Sequence, residues 1–349
     1  MTDKRWKILY AGLDANTFLI LQKDHQFNVC AASYIDKFQI FTWNPVNYLF
    51  KIIHLLRSLD KFYKLESILS KIWFVSMPFS SGIFYKYRNY IYTLSIYKLD
   101  IIDLKNIQKT VSYIRSENIE LIAISVYPLL PKEIIQEPKF KSINIHPSIL
   151  PQYRGSLPTL WSLKNHDEKS AVTYMIVDQN MDTGNIIAQH FFSLSENDDW
   201  QSLENKIAAI IENTFVSDIK NYLQGILKPT EQNKKISPSK TAAYEKYRKI
   251  EWTSENREDI YNKINLYPFI DPGVCCYTVW RGRKVWFRKI ERPKKNDVNK
   301  YSYLKRGDFI LDFLSLFIIC EDGMLMFRLF KDIDTISSIR LFFAHFGNF

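Results

Sequence analysis

A chain of 349 residues, 46% hydrophobic and 24% charged, has the composition of a folded globular protein and not of a disordered one, and its length predicts two cores. The formal charge of +10 favours polyanionic partners: nucleic acid, nucleotide-linked substrates, polyglutamylated cofactors or acidic lipid surfaces. From Lys228 to Lys300 there are 18 Lys/Arg against 9 Asp/Glu, so nearly all of the excess lies in the second half.

In chain order, Lys7 to Tyr10 predicts a first strand, turning into a helix near Asn16–Thr17, and Phe27 to Ala32 a second strand. The aromatic, irregular stretch from residue 44 to 92 is expected to be an insertion. Alternation then resumes. Asn106 to Glu117 suits a helix, Leu121 to Val126 a buried strand and Pro131 to Gln136 a short helix. Ser142–His146, Ala171–Val177 and Ile186–Phe192 follow as strands, and Trp200 to Leu223 as a long amphipathic helix stopped by Gly225. Strands alternating with helices predict an α/β domain with a Rossmann-like, mainly parallel sheet over residues 1–228. In such sheets a ligand crevice lies at the carboxyl ends of the strands, where His146 falls.

A polar stretch, Asn233–Thr241, reads as a linker. Short strands are expected at Val274–Val279, Lys284–Ile290, Phe309–Asp312, Phe317–Cys320 and Met324–Phe330, with turns at Arg281–Gly282 and Asp322–Gly323. They predict a smaller β-rich, OB-like domain over residues 229–349. Four cysteines without zinc-type spacing, and no signal peptide, predict a cytoplasmic protein with no structural metal. The most apolar run, Phe309 to Cys320, carries Asp312 and is shorter than the roughly 20 residues a membrane helix needs, so no span is expected.

The chemistry concentrates in SINIHPSILPQYRG (Ser142 to Gly155) and VTYMIVDQNMDTGNIIAQ (Val172 to Gln189). Asn144 and His146 lie two apart on a strand, so both side chains leave one face. Pro147, Pro151 and Gly155 force a non-helical loop, and Asp182 comes from a second loop closed by Gly184. An imidazole can accept a proton from an attacking amine, a carboxylate can orient it, and the Asn144 amide can donate to an oxyanion. Acyl transfer to an amine then needs no Ser or Cys nucleophile. Singly, His146 reads as a core histidine and Asp182 as a turn residue; it is the combination that points to a site.

The two stretches resemble the folate-dependent formyltransferase family, whose pattern Asn-x-His-x-Ser-x-Leu-Pro-x-Tyr/Trp-Arg-Gly matches Asn144, His146, Ser148, Leu150, Pro151, Tyr153, Arg154 and Gly155. Its Asp-x-Gly matches Asp182 and Gly184, and SVYPLLP (Ser125 to Pro131) looks like the segment lining the pterin pocket. The resemblance implies 10-formyltetrahydrofolate as formyl donor, beside Tyr127, Leu129 and Asp178. It also implies Asn144, His146 and Asp182 as catalytic residues. The stretch from Lys249 to Pro268 is weakly similar to the start of the appended domain found in methionyl-tRNA formyltransferases and in the formyltransferase half of the aminoarabinose-modifying enzyme.

The resemblance leaves two acceptors. A nucleotide-linked amino sugar, for surface polysaccharide (lipopolysaccharide) biosynthesis, is favoured by the Pro-x-x-Trp in YRGSLPTLW. There Tyr153 and Trp161 would meet the sugar and Arg154 a diphosphate. The 44–92 insertion would be a pocket wall, and the Ser-Pro-Val-Lys-like segment usual in the tRNA enzymes is missing. Methionyl-tRNA is the alternative, favoured by the basic second half and by Met175, where many sugar enzymes carry His. A homodimer is compatible with either. A degenerate domain retained for binding would not be expected to keep the trio intact.

Overall fold

The computed structural model describes residues 5–12, 14–33, 93, 94, 97, 99–125, 129–233, 241–267, 274–280, 282–287, 290, 305–312, 315–320, 322–329, 333 and 341. The expected insertion and most of the expected linker lie outside them. The first strand, β1 (Trp6–Gly12), is buried along almost its whole length, as a strand covered on both faces must be. It turns, near the expected Asn16–Thr17, into α1 (Ala15–Lys23), whose N-cap is Asp14. The Asp14 carboxylate accepts from the backbone N–H of both residues, filling donors that a helix start leaves open.

The chain continues through β2 (Phe27–Ser33), β3 (Asp100–Ile101), α2 (Ile107–Ser116), β4 (Leu121–Ser125), α3 (Lys132–Gln136) and β5 (Ser142–His146). Then come α4 (Pro158–Lys164), β6 (Lys169–Ile176), β7 (Ile186–Ser193) and α5 (Trp200–Leu223). The seven strands form one sheet in the order β3-β2-β1-β4-β5-β6-β7. From β3 to β5 every pairing is parallel; β6 and β7 are antiparallel. The mainly parallel α/β sheet expected from the sequence is therefore present, with an antiparallel edge.

Strand periodicity sorts the side chains onto two faces. On one, Ile8, Tyr10, Ala123, Ile143, Ile145, Val172 and Tyr174 meet α5, which buries Leu203, Ile207, Ile211, Phe215 and Ile219 at helical spacing. That helix starts with a capping box between Asp199 and Ser202, and Gly225, at φ +76°, follows its C-cap. On the other face Leu9, Ala11, Ile122 and Ile124 meet Ile114 of α2 and Ile134 and Ile135 of α3. Asn144 pairs with Ile124 across the sheet, so Asn144 and His146 leave from this second face.

The remainder differs from the expectation of strands alone. Two helices, α6 (Thr241–Arg248) and α7 (Arg257–Asn265), precede β8 (Tyr277–Trp280), β9 (Arg283–Trp286), β10 (Phe309–Asp312), β11 (Ser315–Cys320) and β12 (Gly323–Arg328). Among the described residues these strands make a two-stranded and a three-stranded antiparallel sheet. Their core is built on Trp252, whose indole N–H donates to Thr278 Oγ1 at 2.8 Å and whose ring meets Phe287, Phe309 and Phe327 edge-on. Tyr244 of α6, with Tyr267, Val274 and Cys275, instead joins the core of the large sheet. No helix among the described residues is long and apolar enough to cross a membrane.

Candidate active site

The antiparallel edge decides where the site sits. Because β6 runs back along β5 and ends opposite Ile143, the loop 177–185 leaves the sheet near the start of β5. Asp182 closes from there onto the face that carries Asn144 and His146. Its Oδ1 lies 3.4 Å from Asn144 Nδ2, and its Oδ2 lies 3.6 Å from His146 Nδ1 and accepts from the Gly155 backbone N–H at 2.8 Å. The three residues expected to act together therefore meet, although Asn144 and Asp182 are 38 positions apart in the chain.

Over β5, β6 and β7 this face is covered by polar loop structure. Thr173 Oγ1 donates to the Ser148 carbonyl at 2.6 Å, and Gln189 Nε2 donates to Thr173 Oγ1 at 2.8 Å and to the Leu150 carbonyl at 3.2 Å. The Ser148 hydroxyl closes the loop on the Gln152 carbonyl at 2.8 Å, and the Leu150–Pro151 peptide is cis. These bonds fix the carbonyl of Tyr153, which lies 3.0 Å from His146 Nε2. A carbonyl can only accept, so Nε2 carries the hydrogen and the lone pair of a neutral His146 is on Nδ1, toward Asp182. The main chain thus orients the imidazole, and the carboxylate faces the nitrogen that would take up a proton.

His146 is buried, and burial holds its pKa below the usual histidine range, against the raising effects of the Asp182 charge and of the hydrogen bond to Tyr153. It is therefore neutral at neutral pH, with a lone pair that could accept a proton. A base that must be neutral loses activity as pH falls through its pKa, so the acid limb of kcat/KM is expected below about 6.5. Between that limb and about 6.5 the unfolded chain binds more protons than the folded one, so stability also falls as pH falls. Asp182→Asn removes a charge that raises the pKa, and its pH–rate profile is expected to show the limb moved further toward acid. An unmoved limb would separate the carboxylate from the imidazole.

The remaining expected site residues divide. Leu129 is 57% exposed just after β4, and Met181, beside Asp182, is 55% exposed. Met181, an open apolar side chain adjoining Asp182, suits contact with a flat heterocycle. Tyr127 lies outside the described residues. Asp178 serves the loop itself, accepting from the Asn180 N–H at 3.0 Å and from the Thr183 hydroxyl at 2.7 Å. Tyr153, half-buried at φ +56°, donates its phenol hydrogen to Asp167 and accepts from Asn165, both at 2.8 Å.

Arg154 departs from expectation. It is 5% exposed, with Nε and Nη2 donating to Gln232 Oε1 at 3.0 and 2.8 Å and Nη2 to the Asn233 carbonyl at 3.1 Å. A guanidinium so enclosed braces the loop and is not presented to a diphosphate. Trp161 meets Tyr244 of α6 edge-on at 6.2 Å, under the Lys164 ammonium. Gln232 was not anticipated: it is a lone polar residue in a hydrophilic stretch, and no local pattern marks it as buried. A cavity of about 720 Å³ lies between α6, α7 and β8, lined by residues such as Tyr247, Lys249, Glu255 and Lys263 and away from the trio. No cluster of His, Cys, Asp and Glu among the described residues could hold a metal ion.

Comparison with known proteins agrees with this chemistry. A family model described as formyl transferase matches residues 103–219, which include Asn144, His146 and Asp182. A methionyl-tRNA formyltransferase of Fusobacterium nucleatum is 30% identical over 210 residues, covering 59% of this chain and 67% of that protein. One from Caldanaerobacter subterraneus is 28% identical over 190 residues, 54% of this chain. The chain spans 60% of that relative's length. The structure of a sugar N-formyltransferase from Shewanella has the same fold, with a TM-score of 0.56 and 17% identity over 83% of this chain and 99% of that one. The chain belongs to the folate-dependent formyl transferase family.

Proposed function

We propose that this protein transfers a formyl group from 10-formyltetrahydrofolate to the primary amine of a nucleotide-linked amino sugar. The observation that carries the chemistry is the closure of Asp182 onto Asn144 and His146 on one face of the sheet. The Nδ1 lone pair of His146 takes the proton that the amine loses as its nitrogen joins the formyl carbon, and Asp182 stabilises the imidazolium so formed. Asn144 has a second N–H beyond the one turned to Asp182, and it donates this to the oxygen that gains charge. The proton then returns from His146 to the departing folate nitrogen. Leu129 and Met181 cover the donor's pterin ring.

The sugar is supported by Tyr153, whose hydroxyl is held by Asp167 and Asn165, and by the sequence of its loop. One observation favours methionyl-tRNA instead: Met175, whose type is frequent in the tRNA enzymes, stands directly opposite Asn144 in the β5–β6 pairing. The formyl transferase relatives that act on methionyl-tRNA also align with more than half of this chain. The test is a formylation assay with 10-formyltetrahydrofolate and, in separate reactions, dTDP-amino sugars, UDP-amino sugars and methionyl-tRNA. A formamide on a nucleotide sugar is the expected product. Formylation of tRNA alone reverses the acceptor, and no formylation of any amine removes the reading.

A further inference from the structure

We propose that Gln232 is a positioning residue for the formyl-transfer site, holding the Asp182 loop and the loop after β5 in register with each other. The inference rests on the reading of Asn144, His146 and Asp182 given above and adds a fourth residue to it. Gln232 is 7% exposed, and both ends of its amide are used. Its oxygen accepts from Arg154 Nε and Nη2 at 3.0 and 2.8 Å, and its nitrogen donates to the carbonyls of Asp182 at 3.1 Å and Gly184 at 2.6 Å.

Those partners are the two loops that make the site. Arg154 immediately precedes Gly155, whose N–H binds Asp182 Oδ2 at 2.8 Å. One amide thus holds Asp182 by its main chain and, through Arg154, holds the residue that fixes its carboxylate. The need for such a brace is visible in the backbone, since Asp182 sits at φ +53°, a conformation that a non-glycine residue adopts at a cost. The placement of Gln232 is also explained. Thr230 and Ile186 exchange backbone hydrogen bonds, each at 2.8 Å, so residues after Thr230 run beside the end of the Asp182 loop. With side chains alternating along an extended segment, Gln232 repeats the direction of Thr230.

A charge near the trio would mislead a simple pH test. The charged groups on the braced loops are Asp178, Asp182 and Arg154, and Asp182 also acts on the imidazole. The experiment therefore reads geometry directly, through hydrogen exchange of the Gly155 amide relative to the Ile145 amide within β5. It uses the full chain and two variants. Gln232→Met keeps the volume and removes all four bonds. Gln232→Glu keeps an acceptor for Arg154 and loses the donor to Asp182 and Gly184. Faster Gly155 exchange, by about tenfold or more over Ile145, is expected in both.

Turnover of 10-formyltetrahydrofolate, with the acceptor that the formylation assay identifies, should then fall on the order of a hundredfold in kcat, as for a displaced catalytic group, with KM changed far less. Wild-type protection of Gly155 in Gln232→Glu overturns the proposal, because the donor half would then position nothing. A fall in melting temperature with both amides exposed alike also overturns it, leaving Gln232 a plain structural residue. Accelerated Gly155 exchange with unchanged turnover keeps the brace but refutes the catalytic reading of Asp182. Should Gln232→Met fail to fold, Gln232→Glu alone decides.

Discussion

Replacing His146 by Asn is expected to lower formyl transfer about a thousandfold while the protein still folds and still binds the folate donor. Nε2 of His146 is committed to the Tyr153 carbonyl, and Nδ1, 3.6 Å from Asp182 Oδ2, is the nitrogen left to take up a proton. An asparagine keeps a polar donor near the buried face but offers no lone pair of comparable basicity. The amine would then have to lose its proton without an imidazole to receive it. A thousandfold corresponds to about 4 kcal/mol of barrier. Steady-state kinetics and folate binding by fluorescence titration check it. Turnover within tenfold of wild type, with binding intact, would remove His146 as the base.

The second large effect concerns stability. A Cβ built on Gly184 falls inside the contact distance of the Ile176 carbonyl oxygen and 2.9 Å from its carbon. These are main-chain atoms of β6, and the Ile176 N–H is itself bonded to the Asn185 carbonyl at 2.9 Å, so neither side of the loop can give way cheaply. Gly184→Ala is expected to destabilise the protein by about 3 kcal/mol or more, the upper range for over-packing. For a domain of this size the melting temperature falls by roughly 6–12 °C. Activity should fall further than stability alone dictates, because the Gly184 carbonyl is one of the two that Gln232 holds. A thermal melt within 2 °C of wild type would falsify the steric argument.

Much of this site was legible in the chain because its parts are local. Asn144 and His146 need only a strand to share a face, and Gly155 and Gly184 mark the two turns. Apart from the two-residue β3, the strands of the large sheet were legible for a similar reason: buried strands read as short apolar runs. Three features were not. The helices α6 and α7 have weak apolar faces, and the aromatic and charged residues around them read as the approach to a β domain. The inward turn of Arg154 depends on Gln232, 78 residues away, which no spacing rule connects to it. The enclosure of His146 depends on the cross-strand bonds of Thr173 and Gln189 that shape the loop above it.

The two hydrophobic cores also bear on how such a protein can be assembled from parts. Tyr244, Tyr267, Val274 and Cys275 belong to the large sheet, while Ile250, Trp252, Ile260 and Ile264, which lie between them in the chain, belong to the other core. No single cut separates the two. A cleavage at residue 228 would strip the catalytic half of Gln232 and of the ring that meets Trp161. Exchange of one tail for another by a single crossover anywhere from 229 to 275 would leave both products with a torn interior. The tail is interlaced with the enzyme it follows, and is not a detachable cassette.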